Sequence, residues 1–362
     1  MRNFAGLPVD GYLFRRIWDV SRLANVAYYK STKNISELFL NTFCDLGLNN
    51  VDMLHFMNAV PITSKPFFVT FEKSLPRIGE NKRWIKQYLV KKLAEDNCKN
   101  LIAFSDFAAQ MQLGHLQTHY KDLFEEIAPK VVVMHPAQVL HTKSYEEKML
   151  AAEHLVFSMV GNDFFRKGGN AVLTVFERLI KAKQPVFLNI VSTLTYNDYA
   201  TQTTKSDYDW AKSIINKYPK HIKHQEKLPN EQVINLLKTT HIALLPTYAE
   251  TYGYSVLEAQ ACGCPVITTD IESLPEINND QTGWVINLPK DRLGYSLHAT
   301  AQQREALYET VAGQLEAIIT EILGNLGSIG TKSNQSILKI QNQNSIQNTS
   351  LKLTDLYNNA LL

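Results

Sequence analysis

The chain has 362 residues, 45% of them hydrophobic, which leaves room for two domains of ordinary size, each with its own core. Lysine and arginine total 37 against 35 acidic residues, a formal charge of +2. With no aromatic and basic motif of an RNA module, that balance excludes a dedicated nucleic-acid binder. Four scattered cysteines make no disulfide framework, no apolar signal core opens the chain, and no run of about twenty apolar residues can span a bilayer, so a reducing cytoplasm is the expected location.

Two basic stretches near the start are amphipathic. Leu13, Phe14, Ile17 and Val20 share a helical face opposite Arg15, Asp19 and Arg22, and Lys82 to Lys92 interleaves Arg83, Lys86 and Lys91 with Trp84, Ile85, Tyr88 and Leu89. Packed helices with solvated faces account for both; contact with an anionic membrane is the alternative. Strands are expected at Met53 to Phe56, Phe67 to Thr70, Leu101 to Ser105 and Val131 to Met134, an incomplete doubly wound sheet. Few core signals lie between Pro136 and Glu153, so an amino-terminal domain is set at 1–145 and a carboxyl-terminal one at 146–330.

In the second half, Val172, Val175, Phe176, Leu179 and Ile180 keep helical spacing before a strand at Val186 to Val191. Asp207-Tyr208-Asp209 spells the D-x-D of metal-diphosphate sites, but Ser206 and Asp209 have N-cap spacing ahead of Trp210, Ile214 and Ile215, and capping explains both acids. No His or Cys cluster has ligand spacing, so no metal is expected. Residues 327–350 are rich in Asn, Gln and Ser and read as linker or weak helix, and Leu351 to Leu362 regain apolar spacing. The segment 331–362 is therefore set as a polar linker and terminal helix.

The densest chemistry lies from Leu244 to Pro265, LLPTYAETYGYSVLEAQACGCP. Apolar Ile242 to Leu245 end at Pro246 as a buried strand, a helix runs from about Tyr254 to Cys262 and stops at Gly263, and Val266 to Thr268 resume strand character. Such a crossover places ligands at the carboxyl ends of its strands, beside the helix N-terminus, where Glu250 to Ser255 fall. A carboxylate accepts paired hydrogen bonds from a diol, so Glu250 suits a hexose and Glu258 a ribose, with a diphosphate between them on the amides of Gly253, Tyr254 and Ser255. Either glutamate alone is more simply a helix-terminus or solvated acid.

The string LLPTYAETYGYSVLEAQACGCPVITTDIESLPEI resembles the signature of the retaining glycosyltransferases of the GT4 type, and Thr282-Gly283-Trp284-Val285 resembles their later TG turn. VFSMVGNDFFRKGG, Val156 to Gly169, is similar to the family's strand and K-G loop. There Lys167 matches the family lysine, and Asn162 stands where an arginine is usual, so that role passes to Arg166. IKHQEKLPNEQVINLL resembles the segment enclosing the nucleobase and puts Leu228 at the base. DMLHF, FFVTFE, NLIAFSDFAA and VVVMHP resemble successive strand ends of the amino domain, although the family's opening strand is not legible before residue 50. Glu72 stands where a histidine is frequent, and His55 lies one strand earlier; both fall on the acceptor side.

The resemblance implies an α/β protein of GT-B fold, two Rossmann-like doubly wound domains facing a cleft with the amino domain shortened, and a terminal helix crossing back to it. It implies transfer of a hexose from a UDP or GDP type nucleotide diphosphosugar to a glycan or lipid-linked hydroxyl, with retention and without metal or other cofactor, in surface polysaccharide synthesis. Glu250, Arg166 and Lys167 would be catalytic, and Glu258, Thr251, Tyr252, Gly253, Tyr254, Ser255 and Leu228 would bind the donor. The setting is the cytoplasm, including the cytoplasmic face of an inner membrane. A non-catalytic GT-B subunit, supported by the missing opening strand and by Glu72, remains open, as do a sugar-nucleotide epimerase and a phosphorylase.

Overall fold

A computed structural model describes residues 20–33, 36–44, 47, 49–79, 82–148, 150 and 153–361. The chain divides into two compact units, 1–137 with 346–362, and 138–345. It is an α/β protein with parallel sheets.

The first unit runs α1 (Val20–Thr32), α2 (Glu37–Asn41), β1 (Thr42–Cys44), β2 (Leu54–Met57), β3 (Val60–Ile62), β4 (Phe67–Phe71), α3 (Arg83–Ala94), β5 (Cys98–Ala103), α4 (Asp106–His119), α5 (Phe124–Ile127) and β6 (Val131–Val133). Strands β2, β4, β5 and β6 form a parallel sheet in that order. All four strands expected in this half are present, with β5 beginning at Cys98. Ser105 lies outside β5 because it caps α4, its hydroxyl accepting from Ala108 N at 3.0 Å. A strand does precede residue 50: β1 pairs with β3 in a separate two-stranded parallel sheet. Three residues each are too short to show a period in the sequence. Of the amphipathic stretch over 13–22, residues 13–19 lie outside the described residues, and α1 starts at Val20.

Alternation along β4 sends Phe67, Val69 and Phe71 to one face, packed with Leu89, Val90 and Leu93 of α3. Phe68 points to the other face, together with Ile102 and Met134.

The second unit runs β7 (Leu155–Val160), α6 (Gly169–Lys181), β8 (Val186–Val191), α7 (Lys205–Lys217), β9 (Ile222–Gln225), α8 (Asn230–Lys238), β10 (Ile242–Leu245), α9 (Tyr254–Ala261), β11 (Val266–Thr269), α10 (Leu274–Ile277), β12 (Gly283–Ile286), α11 (Ala301–Gly324) and α12 (Gly327–Gln343). Its six strands are all parallel, ordered β12-β11-β10-β7-β8-β9. That is the doubly wound order, and its direction reverses between β7 and β10. The carboxyl ends of those two neighbours are the switch point, where the crevice outside the sheet takes ligands.

The structure revises two local readings. The cap of α7 is Thr204, not Ser206: Thr204 N donates to Asp207 Oδ2 at 2.7 Å, and Asp209 instead pairs with Lys205 at 3.0 Å. The helix starts two residues earlier because the T-x-x-D box at 204–207 satisfies its first amides before the S-x-x-D pair at 206–209 is reached. The Asn, Gln and Ser stretch is a regular helix, α12, rather than a linker. Its polar inner face binds backbone carbonyls, Ser333 Oγ donating to Gly263 O at 2.8 Å and Ser336 Oγ to Thr282 O at 2.7 Å, while Ile329, Ile337 and Ile340 are buried.

The last helix, α13 (Ile346–Leu361), returns to the first unit, where Leu353 and Tyr357 cover the second face of its sheet beside Phe68.

Candidate functional site

Two loops meet at the switch point. After β7 the chain runs from Gly161 through Arg166, Lys167 and Gly168 into α6, and after β10 it runs from Pro246 through Glu250 to Gly253 and into α9. Both helices aim their N-termini at this point, giving amide donors and a positive dipole end. Gly161 makes room for the lysine, because a Cβ there would lie 2.8 Å from Lys167 Cε. Gly168 has φ +84, and a Cβ would lie 2.1 Å from Pro246 O, so the two loops interlock through their backbones.

Arg166, Lys167 and Glu250 come together. Lys167 Nζ donates to Glu250 Oε2 at 2.6 Å, with side chains only 11% and 12% exposed. Arg166 donates Nη2 to Asp163 Oδ2 at 2.9 Å and Nη1 to Ala249 O. Burial works against the Arg166 charge, but Asp163 and Glu250 outweigh it and raise its pKa. Thr247 Oγ1 and Tyr248 N reach back to Arg166 O at 3.1 and 2.9 Å, tying the two loops together.

Glu272 is a site residue that the sequence did not single out. Its Oε2 accepts from Glu250 N at 2.5 Å, and its backbone sits at φ +49, a region costly for a residue with a side chain. The contact spans 22 residues, so no local spacing encodes it. Its place just past the carboxyl end of β11 was the one available signal. Ser273 donates to Thr251 O and Tyr252 O at 3.1 and 3.0 Å, fixing the turn from its other side.

The remaining positions expected on the donor side follow α9. Gly253 precedes it with φ +102; Tyr252 is buried and Tyr254 exposed, their rings 5.2 Å apart; Ser255 is half-buried in the first turn. One turn further on, Glu258 accepts from Asn230 Nδ2 at 3.3 Å. Burial pushes the Glu258 carboxyl above its ordinary range, and the Asn230 bond partly offsets that. Leu228 is half-buried in the loop between β9 and α8, two residues before Asn230.

The two positions expected on the acceptor side belong to the first unit. Glu72 follows β4, its Oε2 3.4 Å from Arg77 Nη1 and its amide donating to Asn58 Oδ1 at 3.2 Å. His55 is enclosed by its own unit: Nδ1 lies 2.5 Å from Tyr357 Oη and Nε2 2.7 Å from Thr70 Oγ1, and burial lowers its pKa to about 3. A neutral imidazole locked between two hydroxyls fastens α13 to the sheet.

Residues 142–293 match the family model described as Glycosyl transferases group 1, and this span contains both switch-point loops and the strands that lead into them, while His55 and Glu72 lie outside it. Similar curated proteins include the glycogen synthase of Mycobacterium tuberculosis, 28% identical over 159 residues, 44% of this chain and 35% of that one. The D-inositol 3-phosphate glycosyltransferase of Paenarthrobacter aurescens is 27% identical over 109 residues, 28% of this chain. The matched stretch thus spans 25% and 35% of the length of these two relatives. Among solved structures, a glycosyltransferase from Rickettsia africae superposes with a TM-score of 0.58 at 17% identity, covering 94% of this chain and 80% of that one. An Anabaena protein crystallised with UDP and glucose gives 0.56 at 11%, covering 85% and 77%. These solved structures share the GT-B fold with this chain, and the group 1 match falls within its second unit.

Proposed function

We propose that the protein is a retaining glycosyltransferase of the GT4 type that moves a hexose from a UDP or GDP type nucleotide diphosphosugar to a glycan or lipid-linked hydroxyl, in surface polysaccharide synthesis. The observation that carries this reading is the Arg166, Lys167 and Glu250 cluster, held at the switch point of a group 1 domain beside two helix N-termini. In this reading the diphosphate lies on the first-turn amides of α9 at Gly253 to Ser255, facing Lys167 and Arg166. Fixed cations stabilise the charge that grows on the leaving diphosphate. Glu250, held by Glu272 through its amide, accepts from hexose hydroxyls, Glu258 takes the ribose, and Leu228 lies against the base. The departing phosphate oxygen takes the acceptor proton, so neither a protein base nor a metal or other cofactor enters the step. Titration with UDP, GDP and ADP and their hexoses tests the reading, and binding of none by folded protein would overturn it. Once a donor is known, proton NMR of the product reads retention directly; an inverted anomer would exclude it.

An anionic membrane on the cytoplasmic side is a proposed partner of the first unit, and α3 supports it. Leu89, Val90 and Leu93 are buried, whereas Trp84 is 76% and Tyr88 43% exposed, with Lys91 exposed on the same side. Interfacial aromatics with cations suit anionic headgroups, each basic residue adding about 1 kcal/mol near the surface. No described helix is long and apolar enough to cross a membrane. The protein should sediment with phosphatidylglycerol vesicles but not with phosphatidylcholine vesicles, and Trp84→Ala with Lys91→Ala should remove the difference. Equal recovery on both lipids would exclude this contact.

A further inference from the structure

A cavity in the carboxyl-terminal unit lies outside the proposed donor site. Its volume is about 400 Å³, within the usual range for small-molecule pockets, and the first turns of α6, α7 and α11 wall it together with the loop at 200–203.

The lining combines two chemistries. Trp210 and Tyr308 bring aromatic surface, and Asp207 and Glu305 bring carboxylates. Capping uses only the Oδ2 of Asp207, leaving Oδ1 to other donors. The Glu305 carboxylate makes no ion pair or hydrogen bond among the described residues. The one cation, Arg304, already donates Nη1 to the carbonyls of His298 and Ala299 at 3.0 Å. Two carboxylates against one partly engaged guanidinium disfavour phosphate and other anions. A ring with an apolar face and several hydroxyls satisfies both halves of this lining, the face on an aromatic ring and paired hydroxyls on a carboxylate.

The cavity also adjoins the donor-site loops from behind. The Tyr248 hydroxyl donates to Asn170 Oδ1 at 3.1 Å on its floor, and Tyr248 N bonds Arg166 O at 2.9 Å. Tyr248 therefore belongs to the cavity through its side chain and to the Arg166 loop through its backbone.

We propose that this cavity binds one hexose unit of a neutral glycan at a site separate from the donor sugar. The proposal does not depend on the transferase reading. Isothermal titration with maltotriose, methyl α-glucoside and methyl α-mannoside tests it, with titration of nucleoside diphosphates into the same samples as a separate readout. At least one sugar should bind saturably at millimolar concentration, weakened about tenfold, some 1.4 kcal/mol, by Glu305→Ala and more by Trp210→Ala, with nucleotide affinity unchanged. Glu305 is exposed on α11, so its variant keeps the test decisive if Trp210→Ala does not fold. Saturable binding by none of the three sugars, or binding that neither variant weakens, would overturn the proposal whatever the nucleotide titration gives.

Discussion

Lys167→Ala should lower kcat/KM for hexose transfer by about 10²- to 10³-fold, the scale of losing one fixed group aimed at developing charge in a partly dry site. The ammonium is 11% exposed and already paired with Glu250, so its removal also leaves a carboxylate that is 12% exposed without its cation. Breaking one side of such a pair costs about 3–5 kcal/mol, so the melting temperature should fall as well. The two effects separate in the double variant Lys167→Ala with Glu250→Gln. Neutralising the stranded carboxyl should restore most of the stability and none of the rate. A wild-type rate in Lys167→Ala, read at a temperature where the variant is folded, would mean that Lys167 is only a structural ion-pair partner. Glu258→Ala should behave differently: a group holding the ribose throughout the reaction raises KM and leaves kcat nearly unchanged.

Gly168→Ala should be the most damaging single methyl in the second unit. The added Cβ would lie 2.1 Å from Pro246 O and 3.0 Å from Pro246 C, backbone atoms that cannot rotate away, and φ is +84. A clash and an unfavourable backbone conformation together should destabilise by about 3–5 kcal/mol. For a unit of this size each kcal/mol moves the midpoint by about 2–4 °C. Gly313→Ala is the matched control: it lies inside α11 with nothing within 4 Å of its Cβ, and it should stabilise by up to about 1 kcal/mol. Calorimetric melting checks both. A shift for Gly168→Ala no larger than that of Gly313→Ala would contradict the interlocked loops.

The same two loops show what the sequence makes legible. The strand, helix and strand from Ile242 to Thr269 were readable because an apolar run, a proline stop, a helix-forming stretch and a terminal glycine follow one another locally, and Glu250 sits between the first strand and the helix. The packing of β7 beside β10 was not readable, since sheet order is long-range, yet it is what makes the two loops one site. Glu272 was hidden for the same reason. Asn230, which holds Glu258 from a different helix, carries no motif of its own. In the first unit, the four strands of the main sheet stood out as apolar runs, while β1 and β3 were too short to register. Polar composition misled at α12, where serines facing inward bind carbonyls of neighbouring turns instead of solvent. Histidine chemistry at His55 depended on Tyr357, about three hundred positions along the chain, which no pattern near residue 55 announces.

The most direct test of the central claim is calorimetric titration of UDP, GDP and ADP into the wild-type protein and into Lys167→Ala and Glu258→Ala, with folding of each confirmed by its melting transition. One nucleoside diphosphate should bind at a single site, and both variants should bind it at least tenfold more weakly, about 1.4 kcal/mol each. Equal affinity in all three proteins, or no binding to folded wild type, would place the nucleotide elsewhere or nowhere and remove the basis for a donor site between α6 and α9.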